Sequence, residues 1–177
     1  MRNIKTLIKR WHKEEEGTAL MEAVMILPIL VTLLMGMFDL GFGIALNQKT
    51  ITASQIASDL ISRNKSVEIA DVENIIDASQ VTFEPYNLNG FGIDIVSIEF
   101  DEDNNPQILW RETRDMSPND TAVNSTVGLG AEGEGMVIVT VRYNYNPYFT
   151  GLFTDNFNLE EVAFSRGRRS PTVTWGT

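Results

Sequence analysis

The side chains of this 177-residue chain that are spaced for chemistry begin with an acidic stretch, DEDNNPQILWRE. It sets Asp101, Asp103, Asn105 and Glu112 at positions one, three, five and twelve of a calcium loop, with apolar Ile108 at eight. Oxygen donors in that pattern suit a hard divalent cation. Position six of such a loop requires glycine, however, and Pro106 stands there between flanks that read as strands. A solvated hairpin turn is therefore the better reading, with calcium kept as a weak candidate. Gly128, Gly130 and Gly133 have dinucleotide-fingerprint spacing, but the sequence offers no strand before them and no helix after. Glu132 and Glu134 would repel a phosphate, so a flexible loop accounts for these glycines. The single histidine, His12, lies near the amino terminus, and cysteine is absent. The body of the chain thus lacks the residues for a histidine-activated nucleophile, a thiolate metal site or a disulfide framework. Neither a catalytic site, a cofactor nor a small-molecule substrate is expected.

The remaining chemical candidate is Glu22, the one ionisable residue between Thr18 and Phe38. About 20 apolar residues at ~1.5 Å per residue cross a ~30 Å hydrocarbon core. This run is too long for the apolar part of a removable secretory signal, and Phe38-Asp39-Leu40 offers no small-x-small cleavage site. A spanning helix over 18–43 is predicted, bent at Pro28. Residues 1–16 hold five basic and three acidic side chains, so the net charge of −10 leaves −12 on the rest. Basic residues ahead of the helix put its amino end in the cytoplasm and residues 44–177 outside the inner membrane. An acidic body argues against binding nucleic acid. An acid inside a membrane segment costs about 2.5–3.5 kcal/mol at the centre and less near the interface, so Glu22 is either a tolerated interfacial residue or one with a partner.

The stretch EEEGTALMEAVMILP, Glu14 to Pro28, resembles the amino-terminal signal of type IV prepilins, with its charged leader, glycine, glutamate and long apolar helix. The longer piece from Gly17 to Arg63 is similar to TadE, the pilin-like protein of the tight-adherence (Flp) pilus apparatus. The resemblance implies that a membrane-embedded prepilin peptidase cuts between Gly17 and Thr18, making residues 1–17 a leader. Glu22 would then pair with the amine of an adjacent subunit during assembly. Ala23 departs from many Flp-type signals, which have an aromatic residue after the glutamate. The implied partners are the peptidase, other pilins and pilus-assembly proteins, and the inner membrane. The competing reading is an uncleaved single-span envelope protein whose outer domain binds a ligand or another envelope protein.

Past the membrane the helix is expected to continue, with Ala53, Ile56, Ala57, Leu60 and Ile61 on one side and Asn47, Gln48, Lys49 and Ser54 on the other. It should stop near Arg63-Asn64-Lys65. Ser66 is the expected cap of a short helix striped by Ile69, Val72, Ile75 and Ile76. Strands are predicted from Ile93 to Phe100, over Gln107–Glu112 and Met136–Tyr145, over Leu159–Ser165, and as a short edge at Thr172–Trp175. Between Thr113 and Gly135 the sequence reads as a long surface loop. Tyr143, Tyr145, Tyr148, Phe149 and Phe153 form either a contact patch or packing. Arg166, Arg168 and Arg169 are either ion-paired or solvated. The fold class is α+β: a long helix, part membrane anchor and part amphipathic, on a small, mostly antiparallel, pilin-like sheet.

Overall fold

The computed structural model describes residues 15–149 and 156–176. Most of the expected leader, 1–14, lies outside them, as does Phe153. Helix α1, Glu15–Ser62, is continuous for 48 residues, about 72 Å at 1.5 Å per residue. Pro28 lies inside it. The missing N–H denies the carbonyl of Val24 its usual helical donor, and one turn on, the Thr32 hydroxyl donates to the Pro28 carbonyl at 2.8 Å.

The second half of α1 packs on a sheet through unusually small side chains. Leu46, Thr50, Ala53, Ser54, Ala57, Ser58, Ile61 and Ser62 are its buried residues beyond position 45. The periodicity placed Ser54 on the solvent side, but the structure buries it. Short side chains let the rod approach the strands closely, and hydroxyls can be buried because they find local acceptors. Thr50 donates to the carbonyl of Leu46 and Ser54 to that of Ile51. Ser58 donates across the interface to Ser165 Oγ at 2.7 Å.

After α1 come β1 (Ser66–Val67), α2 (Ile69–Val81), β2 (Phe91–Phe100), β3 (Pro106–Arg114), α3 (Asp120–Asn124), β4 (Gly135–Tyr145), β5 (Phe157–Ser165) and β6 (Thr174–Trp175). Ser66 does not cap α2; it pairs with Thr174 in a two-residue parallel ladder of β1 with β6. Glu68 takes the capping position, its N–H donating to the Asp71 carboxylate at 3.1 Å. The main sheet is antiparallel in the order β3-β2-β4-β5. Ile93 and Ile95 of β2 and Val137, Val139, Val141 and Tyr143 of β4 face α1 and α2, as the alternation in β4 implied. Phe83 closes this core, stacked on Tyr143 with ring centroids 5.1 Å apart.

The opposite face is also covered, which explains why β2 is buried almost throughout. Val96, Ile98, Phe100, Met136 and Ile138 form a second core under Ala122 and Val123 of α3. The segment expected to be a plain surface loop therefore carries a short helix with a packing role. Asn119 caps it, accepting from the Ala122 N–H at 3.1 Å. A buried carboxylate fastens that segment to the sheet. Asp94, 1% exposed, accepts from Arg111 Nε and Nη2 at 3.0 Å, Thr113 Oγ1 at 2.6 Å and the Asn119 N–H at 2.9 Å. Arg111 also donates to Asp120 at 2.6 Å. Burial alone would lower the Arg111 pKa, but these bonds to Asp120 and Asp94 outweigh it and raise it. Replacing Arg111 by Met leaves Asp94 buried beside only neutral donors. The expected loss is about 3 kcal/mol of unfolding free energy, the lower end for a broken buried pair, measurable by urea titration of the detergent-solubilised chain.

Candidate membrane and assembly surface

The first half of α1 touches almost nothing. Its most apolar 18-residue window has a mean hydropathy of 2.2, and only 6% of it is buried. Leu20, Leu27, Leu34 and Met37 are each more than 60% exposed. A core helix of a water-soluble protein hides such side chains, each worth roughly 1.5–3 kcal/mol on full burial. Here one helix is long and apolar enough to cross a membrane. Gly17 and Thr18, the expected cleavage pair, lie within α1. Glu22 is exposed on the same apolar stretch, without a hydrogen-bond or ion-pair partner among the described residues. Four residues separate it from Thr18, which places the two on one helical face.

Where the apolar stretch meets the sheet, a residue that the sequence reading passed over does the fastening. Asp39 is 7% exposed and accepts from the backbone N–H groups of Tyr148 and Phe149 at 2.9 and 3.0 Å. The Tyr145 hydroxyl donates to the Asp39 carbonyl at 3.2 Å. Phe38, Phe42, Tyr86, Tyr148 and Phe149 ring this clasp, with centroid separations from 4.6 Å for Phe38–Phe42 to 6.4 Å for Phe38–Phe149. The cue in the sequence was an acid closing an apolar run; its partners, more than a hundred residues away, were not legible. Burial, followed by the nearby Asp39 charge, pushes the Tyr145 phenol up to about 12.

The other candidates separate. Asp101 is occupied by its own turn, accepting from the N–H groups of Asp103 and Asn105 at 3.0 and 2.8 Å and from Gln107 Nε2 at 2.8 Å. The Asn105 and Gln107 bonds, in that order, hold its carboxyl below the usual range. Glu112 pairs with Ile95 at the far end of β3 and meets Arg114 at 3.3 Å, so the four expected oxygen donors are not brought together. Among the described residues no cluster of three or more acidic or histidine side chains is arranged to hold a metal. Gly128 and Gly133 lie in turns with open space around them, and Gly130 lies against the Phe100 ring, which an added Cβ would strike. Tyr143 and Tyr145 are packed, and Tyr148 is exposed. Arg166 pairs with Glu134 and Arg168 with Asp59.

An apolar helix that leaves its sheet domain and continues exposed for more than twenty residues defines an α+β protein with a helix long and apolar enough to span a membrane. More particularly, residues 17–59 match the family model TadE-like protein, the pilus-related structural family that Gly17 to Arg63 resembles. The matched span covers the exposed half of α1, Glu22, Asp39 and all but the last three residues of the packed half. No curated protein and no solved structure matches the chain.

Two outcomes follow for the clasp. Asp39→Ala removes the acceptor of two charge-assisted bonds, each worth about 1.5–3 kcal/mol. Amide exchange at Tyr148 and Phe149 should then accelerate at least tenfold while that of Val139 stays unchanged. In alkaline titration, one phenol should ionise near 12, and Tyr145→Phe should abolish that step. Because the folded pKa lies above the ordinary 10.0, the neutral phenol's contribution to stability is complete below pH 10 and is lost as pH rises towards 12.

Proposed function

We propose that the chain is a membrane-anchored, TadE-type minor subunit that acts in assembly of a tight-adherence pilus. The observation that carries this reading is α1 itself: one uninterrupted rod whose first half is bare and apolar and whose second half is the spine of a folded domain. Such a subunit is held in the inner membrane by residues 18–43, with its amino end in the cytoplasm and residues 44–177 on the outer side. A prepilin peptidase removes residues 1–17, and the new amine of Thr18 supplies a positive charge one helical turn from Glu22. In low dielectric an amine and a carboxylate attract far more strongly than in water. The Glu22 carboxylate therefore favours a position beside such an amine, on its own helix or on a neighbour's, and packing of adjacent helices satisfies it. Glu22 is exposed and has no partner among the described residues, which supports this role, as does the family match that begins at Gly17.

Intact-mass spectrometry of protein purified from membranes tests the processing step. A chain beginning at Thr18 is expected; persistence of residues 1–17 in cells with active peptidase would favour the uncleaved envelope protein instead. Glu22→Gln should leave membrane insertion intact and reduce surface pili several-fold. Wild-type piliation in that variant would remove Glu22 from the assembly step.

A further inference from the structure

Around Asp39 the helix carries a second kind of surface, distinct from the bare apolar run below it. Counting from Thr18, about 20 residues at 1.5 Å each bring the helix through a ~30 Å hydrocarbon core to Phe38. At that level the side chains become aromatic: Phe38 is 51% exposed and Tyr148, reaching in from the end of β4, is 68% exposed. On the rest of the helix Leu40 and Ile44 remain exposed to either side of this level's upper edge, and the polar run Asn47-Gln48-Lys49 begins one turn higher. Asn87, Asn89 and Asn144 line a groove together with the rings of Phe42, Tyr86 and Tyr148. Along the rod exposed apolar side chains continue to Ile44, aromatic rings join them between Phe38 and Phe42, and amides with Lys49 follow, an order that matches the environments in a lipid leaflet from acyl chains to headgroups.

We propose that the collar of Phe38, Phe42, Tyr86, Tyr148 and Phe149 is a lipid-contact site that sits in the interfacial layer of the bilayer and sets the depth and tilt of the sheet domain. The occupant is the headgroup–acyl boundary of phospholipid, because the collar is continuous with the spanning stretch and its rings pair an apolar body with polar neighbours. The site is preformed. Asp39 ties Tyr148 and Phe149 to the helix through two backbone hydrogen bonds, and Phe42 contacts Tyr86 and Tyr148 at centroid distances of 6.0 and 5.4 Å. Membrane insertion of α1 therefore carries rings from two distant chain segments to the interface as one unit. This inference rests on the reading of α1 as a spanning helix.

Cysteine is absent from the chain, so single spin labels can be placed without background. Full-length protein carrying Leu30→Cys, Tyr148→Cys, Phe149→Cys or Asn104→Cys is reconstituted in phosphatidylcholine–phosphatidylglycerol vesicles, and collision rates with oxygen and a water-soluble nickel chelate are compared. The label at 30 should be oxygen-accessible and shielded from nickel, and that at 104 freely accessible to nickel. Labels at 148 and 149 should fall between them, with nickel access several-fold below that at 104. Labels at 148 and 149 that match 104 while 30 remains shielded would overturn the lipid contact and leave the anchor standing, and so would low access to both oxygen and nickel there, the result of a neighbouring subunit covering the collar. A nickel-accessible label at 30 would defeat the spanning helix and the lipid contact with it.

Discussion

The hydrogen bonding of α1 is the constraint on which everything else depends. A helix satisfies its backbone polar groups within its own segment, so a single rod can pass from a solvent with no hydrogen-bonding capacity into a folded, aqueous domain without a joint. Only the side chains need to change along it. Below Phe38 they are large and apolar, and between Thr50 and Ser62 those that meet the sheet are mostly small or hydroxylated. The two halves make opposite demands. The first presents bulky apolar side chains to its surroundings, and the second needs their absence so that strands can lie close.

The sheet responds by burying both faces. One face meets α1 and α2; the other is closed by α3 and by the network around Asp94. A buried carboxylate is costly unless every lone pair is used. Asp94 meets this condition with four donors from Arg111, Thr113 and Asn119, and in doing so fixes a connecting segment that has little apolar surface of its own. Asp39 repeats the arrangement where the exposed apolar stretch of α1 meets the sheet domain, with two backbone amides as donors.

Much of the architecture was legible because it rests on local periodicity. The run from Thr18, the alternation from Val137 to Tyr143 and the stripe of Val72, Ile75 and Ile76 each declare an element within a dozen residues. What escaped reading depends on contacts across the chain. Ser54 looked polar until Ile51 supplied its acceptor within the same buried helix. Ser66 looked like a cap until Thr174, more than a hundred residues on, turned it into a strand. The segment from Thr113 to Gly135 has too few apolar residues to announce α3, whose two buried side chains matter only because β2 and β4 leave a hydrophobic face open. On the candidate surface, Glu22 was visible as a lone acid. Asp39 was hidden because its meaning lies in amides from the other end of the domain.

Both ends of the sheet domain are fastened to the same rod. At the lower end Asp39 holds the segment after β4; at the upper end Ser58 bonds Ser165 and the Arg168 N–H donates to the Ser62 carbonyl at 2.8 Å. Tension drawn along α1 between Asp39 and Ser62 is therefore carried by the helix, to which the sheet domain is tied at both levels. A domain fastened at two levels of one rod moves with that rod as a single piece.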